Sequence, residues 1–357
     1  MDVRSDTMNK ILICAIAGPE IGTGHVRRMI TLIHALNSCG EGAITLLTTP
    51  LGARIAQDTS SDAVTIVTYE TDDPVELAVR YLNATDPRDR PHVVILDNYH
   101  WQAKYESRLR PLCGAIVVVD DLADRPHDAD LLLDQNAHHT DSDYRDLVPA
   151  DCALAVGARY CLIGESFRTI CGADLHDAGA RLDCDRVFLS LGGGDPGGQL
   201  LRLTTLLLAA VPDRISLATG SHIADSTALA ALGQAHGDRL EVVLDSSKVA
   251  QQMNDCGWAV SAGGTMTWER AVLGLPSLCL VLADNQEKTS GWLERRGIHA
   301  TFDLRGDWTD AQFCKVVTTY RADRDQRVRH SAQSHALIDG QGADRVAQQI
   351  IKLTLRS

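Results

Sequence analysis

Residues 10–28, KILICAIAGPEIGTGHVRR, contain the change of pattern that decides the fold. The apolar run at 10–17 predicts a buried β-strand, and a glycine-rich turn follows it. From about 25 to 38, apolar residues recur at the spacing of an amphipathic helix. A strand, a glycine turn and a helix in this order are typical of a parallel sheet with crossover helices, so we expect an α/β protein.

The same alternation of short apolar runs and helical patterns continues along the chain, with one interruption. We assign residues 1–165 to a first Rossmann-like domain, 166–185 to a linker, and 186–357 to a second Rossmann-like domain. Two such parallel-sheet domains are expected to face a central cleft that holds the ligand. Strands are predicted at 43–48, 64–69, 93–96, 115–119, 131–133, 186–191, 215–218, 240–244, 258–261 and 278–282, and late helices at 309–320 and 343–355.

The composition is that of a globular protein with an acidic balance. Of 357 residues, 45% are apolar and 23% are charged, and the formal net charge is −13. This charge argues against nucleic acid as a partner, and the lack of an apolar run of about 18 residues argues against a membrane partner. The first ten residues do not have the pattern of a secretory signal, so we expect a cytoplasmic protein. The ten cysteines include no CxxC pair, which favours buried side chains over metal ligands.

The first glycine turn, IGTGH at 21–25, contains a candidate catalytic base. Gly22 and Gly24 permit a tight turn and a close approach of the backbone to a ligand. His25 falls near the N-terminus of the next helix, whose positive end disfavours imidazolium, so we expect the neutral form that accepts a proton from water. A helix-capping turn with an incidental histidine explains the spacing equally well, and the glycines match neither a P-loop nor a Rossmann fingerprint.

Two further candidates stand at the carboxyl end of a strand predicted in the first domain. Asp97 could serve as a second acid or base, or it could orient His25; a turn-forming aspartate is the alternative. Tyr99, two residues later, is a candidate substrate contact on the same side. Asp120 and Asp121 form a similar acidic pair after the next strand.

The first turn of the second domain, LGGGDPGG at 191–198, is a candidate phosphate site. Gly193 and Gly194 expose backbone N–H groups that suit a phosphate or the edge of a nucleotide. Arg202 would lie in the first turns of the following helix, within reach of an anion. A flexible turn followed by a solvated arginine is the alternative.

A later turn, SAGGTMTWER at 261–270, is the second candidate for an anion. Gly263, Gly264 and Thr265 lie where a strand ends and a helix begins, so free N–H groups and the helix dipole favour a diphosphate there. Glu269, about one turn into the helix, could accept both hydroxyls of a ribose, although an acid near a helix N-terminus is favourable in any protein.

A pair of amides follows the strand predicted at 278–282. Asn285 and Gln286 stand at its carboxyl end, where they could recognise sugar hydroxyls or acetamido groups. Asn285 as the N-cap of the next helix is a compatible alternative.

Nine short segments, spread over most of the chain, carry a resemblance to a known family. They are IGTGHVRR (21–28), LDNY (96–99), VVDDLADRPHDADLLLDQNA (118–137), SDYRDLVP (142–149), GARYCLIGESF (157–167), SLGGGDP (190–196), GGTMTWERAVLGLP (263–276), ADNQ (283–286) and DGQGADRV (339–346). In this order and spacing they resemble the UDP-2,4-diacetamido-2,4,6-trideoxy-β-L-altropyranose hydrolases of pseudaminic acid biosynthesis. That family is similar in fold to the GT-B glycosyltransferases, including the N-acetylglucosaminyl transferase of peptidoglycan synthesis, so the resemblance implies a GT-B-like fold.

The resemblance also implies an activity, which is hydrolysis of a UDP-linked diacetamido-trideoxy sugar by an inverting displacement. The partner would be the UDP-sugar, and we expect a monomer that needs no metal and no cofactor. Gly164 stands where the family usually has an arginine, so an anion contact from that arginine is not expected. The implied roles are general base for His25, diphosphate binding for the Gly263-Gly264-Thr265 turn, ribose binding for Glu269, and sugar recognition for Asn285 and Gln286.

Two other classes of function fit the same segments. A GT-B glycosyltransferase would transfer the sugar to an acceptor and would release UDP only when that acceptor is present. A non-catalytic module that binds a nucleotide sugar would leave His25 idle.

Overall fold

The computed structural model describes residues 9–18, 21–40, 42–57, 64–69, 73–173, 182–195, 197–220, 223–244 and 248–355. The chain divides into two compact units, Met1–Leu162 with Gln341–Ser357, and Ile163–Gly340. Each unit is built on one sheet of parallel strands, which confirms the predicted α/β class. Among the described residues, no helix has both the length and the apolar character needed to cross a membrane.

The strands are short and follow the predicted runs closely. In the first unit they are β1 (Asn9–Ala15), β2 (Gly42–Thr48), β3 (Val64–Thr68), β4 (Val93–Asp97), β5 (Ala115–Val119), β6 (Leu131–Asp134) and β7 (Ala153–Val156). In the second unit they are β8 (Arg186–Ser190), β9 (Arg214–Ala218), β10 (Leu240–Val243), β11 (Trp258–Ala262), β12 (Ser277–Val281) and β13 (Ala300–Asp303). The sequence did not predict β7 and β13.

The helices lie between the strands and at the end of the chain. They are α1 (Gly24–Cys39), α2 (Pro50–Gln57), α3 (Pro74–Ala84), α4 (Ala103–Glu106), α5 (Asp141–Tyr144), α6 (Glu165–Ala173), α7 (Leu200–Ala210), α8 (Ser226–His236), α9 (Val249–Asn254), α10 (Thr265–Val272), α11 (Asp284–Arg295), α12 (Asp310–Ala322), α13 (Arg324–Leu337) and α14 (Gly342–Thr354). Single 3₁₀ turns occur at Pro87–Asp89, Arg110–Leu112, Ala158–Tyr160 and Gly237–Arg239.

Both sheets have the same internal order of strands. The first sheet is ordered β3-β2-β1-β4-β5-β6-β7, and the second is ordered β10-β9-β8-β11-β12-β13. In each sheet the order reverses beside the first strand of the unit, between β1 and β4 and between β8 and β11. In open parallel sheets, ligands bind at the carboxyl ends of the strands at such a reversal.

The two faces of the first sheet show why its central strands are apolar throughout. Successive side chains of β1 point to opposite faces, so Ile11 and Ile13 pack in one core cluster with α1, while Leu12 and Cys14 pack in another. All five residues of β4 are buried as well. Helices cover both faces, so these strands have no polar, solvent-facing alternation.

The terminal helix α14 belongs to the first unit, which differs from the predicted second domain 186–357. Its apolar stripe, including Val346 and Ile350, packs in the same core cluster as the α1 residues Ile30 and Ile33. Periodicity predicts that such a stripe is buried, but it does not say against which sheet. The predicted linker 166–185 contains most of helix α6, and residues 174–181 of it lie outside the described part of the chain.

Candidate active site

His25 lies at the start of α1, directly beyond the carboxyl end of β1. The loop before it closes through two backbone hydrogen bonds between Gly18 and Gly22, with N–O distances of 2.8 and 3.2 Å. Gly22 has a φ of 78°, a conformation that other residues rarely adopt. Thr23 is the N-cap residue of α1, so His25 is the second residue of the helix, as the sequence predicts. The residue is 5% exposed.

Asp97 lies against His25 because β1, the strand that precedes His25, pairs with β4, the strand that ends at Asp97. In the β1–β4 pair, Ala15 is opposite Asp97, so the turn after β1 and the end of β4 meet at the reversal of strand order. His25 Nδ1 is 2.6 Å from Asp97 Oδ1. The Tyr99 ring packs nearly perpendicular to the imidazole, with an interplanar angle of 80° and ring centroids 4.9 Å apart.

Arg28 completes this cluster and was not among the residues that the sequence predicted for a site. It donates to Asp97 through Nε, at 2.7 Å, and through Nη2, at 2.6 Å. Its Nη1 donates to both carboxylate oxygens of Asp121 at 2.9 Å. The signal for it was present, since His25 and Arg28 are three positions apart on α1 and therefore lie on one face.

The surroundings of Asp97 determine its charge. Burial disfavours the carboxylate, but the charges of Arg28 and His25 and the hydrogen bonds from both outweigh that effect and lower the pKa of Asp97 to about 2. An ionised Asp97 can only accept, so the hydrogen between it and His25 is on Nδ1. Within the described part of the chain, nothing hydrogen-bonds His25 Nε2. The arrangement therefore holds a fixed imidazole whose Nε2 can take a proton from a bound water.

In the second unit, the turn at Gly263-Gly264 has the features of an anion site. Gly264 is the N-cap of α10, has a φ of 93°, and no side chain caps the first N–H groups of this helix. A Cβ on Gly264 would meet nothing within 4 Å, so the space in front of the turn is open. Thr265 begins α10 and contributes one of the uncapped N–H groups, which favour an anionic group.

The glycine turn after β8 differs, because it already holds a carboxylate. Asp195 Oδ1 accepts from the backbone N–H groups of Gln199, at 2.9 Å, and Leu200, at 3.0 Å, at the start of α7. Gly193 and Gly194 are half-buried beside it, and Pro196 lies outside the described residues. A bound anion at this helix end would have to compete with Asp195, so the structure favours the turn at Gly263-Gly264 for a diphosphate.

Arg202 is engaged by its own neighbours. Its Nη2 is 2.6 Å from Asp310 Oδ1, and its guanidinium stacks on the Trp308 ring at 3.9 Å. Both contacts engage the guanidinium that the sequence offered as a candidate anion contact.

The two amides after β12 have different surroundings. Because β12 pairs with β11, Gln286 reaches the Gly263 turn, where a Cβ on Gly263 would lie 3.2 Å from Gln286 Oε1. That oxygen accepts from the Leu282 N–H at 2.9 Å. Asn285 is exposed in the first turn of α11, and the N-cap position belongs to Ala283, so the N-cap alternative for Asn285 is wrong. Glu269 is half-buried in the second turn of α10.

Arg270 is a buried cation directly behind the Gly263 turn, and the sequence analysis missed it. The residue is 1% exposed. Its Nη1 donates to Ser261 and, at 2.9 Å, to the carbonyl oxygen of Ala262, and its Nε donates to Ser277 at 3.2 Å. These hydrogen-bond partners are neutral, and burial lowers the pKa of Arg270, although the charge of nearby Glu269 acts in the opposite direction.

The chain has a GT-B fold, similar to MurG of Acinetobacter baumannii, with a TM-score of 0.61, 13% identity, and coverage of 96% of this chain and 99% of that one. A complex of S. aureus MnaA with UDP is also similar, with a TM-score of 0.64, 12% identity and coverage of 97% and 98%.

In sequence, the chain is related to the UDP-2,4-diacetamido-2,4,6-trideoxy-beta-L-altropyranose hydrolase of Campylobacter jejuni. The two are 23% identical over 295 residues, which are 82% of this chain and 99% of that protein. No family model matches the chain. The resemblance drawn from the sequence motifs, to this hydrolase family and to GT-B enzymes, is confirmed.

Proposed function

We propose that this protein hydrolyses a UDP-linked 2,4-diacetamido-2,4,6-trideoxy hexose at its anomeric carbon. The products would be UDP and 2,4-diacetamido-2,4,6-trideoxy-L-altrose, an intermediate for pseudaminic acid. We further propose that the enzyme is cytoplasmic and monomeric and needs no metal or organic cofactor. The name of the Campylobacter jejuni relative supports this choice of substrate, and its extent of match, 99% of that protein, supports an activity of the whole chain.

The main support for hydrolysis is the geometry of His25. Its Nδ1 is held by Asp97 at 2.6 Å, which leaves Nε2 as the proton acceptor. In the proposed step, Nε2 removes a proton from water while the water oxygen forms a bond to the anomeric carbon. The bond between that carbon and the UDP oxygen breaks, and its electron pair leaves with UDP. A single displacement of this kind inverts the anomeric centre.

The leaving group would be held by the second unit. UDP departs as an anion, so the residues that bind it need to stabilise negative charge and need not donate a proton. We assign this role to the backbone N–H groups at Gly264 and Thr265 and to the field of α10. Glu269 is proposed to bind the ribose, and Asn285 and Gln286 the sugar. The MnaA–UDP complex supports a nucleotide in this fold.

The first experiment follows the UDP-sugar by NMR with the purified protein and no acceptor. Release of free hexose, first formed with inverted anomeric configuration, is the expected result. Absence of any product until an acceptor is added would overturn hydrolysis in favour of a glycosyltransferase. Binding without turnover, with or without an acceptor, would indicate a module that only binds the nucleotide sugar.

The second experiment tests His25 directly. General base catalysis contributes about 10²–10⁴ in rate, so His25→Asn should lower turnover by about that factor. The affinity for UDP, measured by calorimetry, should change little, because the assigned diphosphate site is in the other unit. His34→Asn removes a half-buried histidine from the same helix and is the matched control. Unchanged turnover in purified His25→Asn would refute the role of His25.

A further inference from the structure

Arg28 stands between two carboxylates on the side of His25 that faces away from Nε2. It binds Asp97 through two nitrogens and Asp121 through a third. Its Nη2 is also 3.1 Å from His25 Nδ1. The side chains of Arg28 and Asp97 are 5% and 0% exposed, and that of Asp121 is 15% exposed, so water screens these charges weakly.

The charges around His25 come from several elements. Asp97, at the end of β4, lies directly against the imidazole, and the Tyr99 ring from the following loop covers another side. Arg28 approaches from α1 itself, and Asp121 lies behind it in the loop after β5.

Beyond Asp121, a hydrogen-bond chain continues along the carboxyl end of the sheet. Asn136 Nδ2 donates to Asp121 Oδ1 at 3.2 Å and to Asp134 Oδ1 at 2.9 Å. The Tyr99 hydroxyl lies 3.5 Å from the other oxygen of Asp121. Asp121 is therefore held on three sides, so its position relative to Arg28 is fixed.

The carboxylate and the guanidinium beside His25 have opposite effects on the protonation of its ring. A negative charge in contact with an imidazole favours imidazolium, which has no lone pair to accept a proton. The cation of Arg28 shares the same carboxylate and opposes that effect. Asp121, in turn, partly compensates the charge of Arg28, to which it is bound at 2.9 Å.

We propose that Arg28 and Asp121 are positioning residues that set the pH range in which His25 acts as a base. The positive charge of Arg28 limits the stabilisation of imidazolium by Asp97. The negative charge of Asp121 limits the opposing effect of Arg28. The proposal rests on the proposed function in one respect, which is that His25 is the base. It goes beyond that function because it assigns opposite effects on the His25 titration to the positive charge of Arg28 and the negative charge of Asp121.

The test compares the pH dependence of hexose release in three variants. Arg28→Met removes the cation, so the acid limb of the profile should move to higher pH by about 1–3 units, the usual effect of an adjacent charge. Asp121→Asn removes an anion that acts through Arg28, so the limb should move to lower pH by a smaller amount. Arg28→Lys, which keeps the charge, should return the limb most of the way to the wild-type position.

Arg27→Met is the matched control on the same helix. Arg27 is half-buried and donates to the Thr23 hydroxyl at 3.4 Å, away from the cluster. Its variant should have the wild-type profile. If Arg28→Met and Asp121→Asn only lower the rate and leave the acid limb unmoved, or if both move it in the same direction, the proposal is refuted.

An NMR titration of the His25 imidazole in isotope-labelled protein separates this proposal from the proposed function. The midpoint of that titration should move upward in Arg28→Met and downward in Asp121→Asn, whether or not the protein releases hexose. Opposite shifts in a protein without hydrolase activity would support the charge arrangement and refute the hydrolase. Shifts absent in an active enzyme would refute the charge arrangement alone. Asp121→Asn keeps the test available if Arg28→Met does not fold.

Discussion

Replacement of Asp97 by asparagine tests the buried contacts of the first unit and the proposed catalytic cluster together. Asp97 accepts from His25 Nδ1 and from Arg28 Nε and Nη2, and it is fully buried. Asparagine has one carbonyl oxygen, so its NH₂ group would face at least one of these donors. The variant therefore replaces an attractive, charged contact by a contact between two donors, in a position that water does not reach.

The magnitude of the effect follows from the charge of Asp97. Its pKa is about 2 in the folded protein, against 3.8 for an unperturbed aspartate. At about 1.4 kcal/mol per unit, this shift corresponds to about 2 kcal/mol of stability at neutral pH. Because the folded-state pKa is the lower one, this stability is fully present above about pH 4 and is lost as the pH falls through about 2. The unpaired donor adds about 1–3 kcal/mol, so we expect a total loss of about 3 kcal/mol or more.

The assay is urea unfolding of the wild type and of Asp97→Asn at several pH values between 7 and 3. The difference in the free energy of unfolding should begin to shrink as the pH falls below about 4, where the Asp97 carboxylate starts to lose its advantage. Asp89→Asn is the control, because Asp89 pairs with Lys10 at 2.7 Å but is 67% exposed, and such surface pairs contribute about 0–1 kcal/mol. A loss below about 1 kcal/mol at pH 7 for Asp97→Asn, equal to the control, would refute the reasoning.

Three further predictions concern the rest of the chain. Arg270→Met should weaken binding of UDP by roughly tenfold and leave binding of uridine unchanged, because the buried cation acts on the diphosphate through its charge; calorimetry that shows equal losses for both ligands would indicate a structural role instead. In thermal unfolding, Gly342→Ala should destabilise the protein by about 2–3 kcal/mol, since a Cβ there would overlap the backbone of Cys161. Gly306→Ala is the control and should be neutral, because a Cβ there would have nothing within 4 Å. Incubation with EDTA followed by dialysis should leave hexose release unchanged, because backbone N–H groups are assigned to the leaving charge; a loss restored by a divalent cation would contradict that assignment.

The sequence predicted the strands that carry a strong apolar signal. The run at 115–119 matches β5 to the residue, and the run at 10–17 contains most of β1. The two missed strands, β7 and β13, stand at the outer edges of their sheets, and part of each is exposed. Each of the two has only four residues, some of them exposed, and this apolar pattern is too short for periodicity to separate it from a loop.

For the candidate site, the sequence placed single residues but could not decide between their roles. It offered Asp97 as a partner of His25 or as a turn residue, and the structure brings Asp97 and His25 into contact. From spacing alone, both glycine turns of the second domain were candidate anion sites, and the structure distinguishes them, because Asp195 fills one helix end and no side chain caps the other. Spacing cannot make this distinction, because the conformation of the turn decides which N–H groups a carboxylate reaches.

The sequence by itself determined that the chain forms two α/β halves, each beginning with a strand and a glycine turn, and that a histidine follows the first turn. Local patterns suffice for this, since apolar periodicity and glycine positions act over a few residues. Only the tertiary structure decided which charges surround that histidine and which unit binds the last helix. His25 lies 72 positions from Asp97, and Arg28 lies 93 positions from Asp121. These residues meet because parallel strands that are distant in the chain end at the same edge of one sheet, and the order of those strands is a property of the whole core.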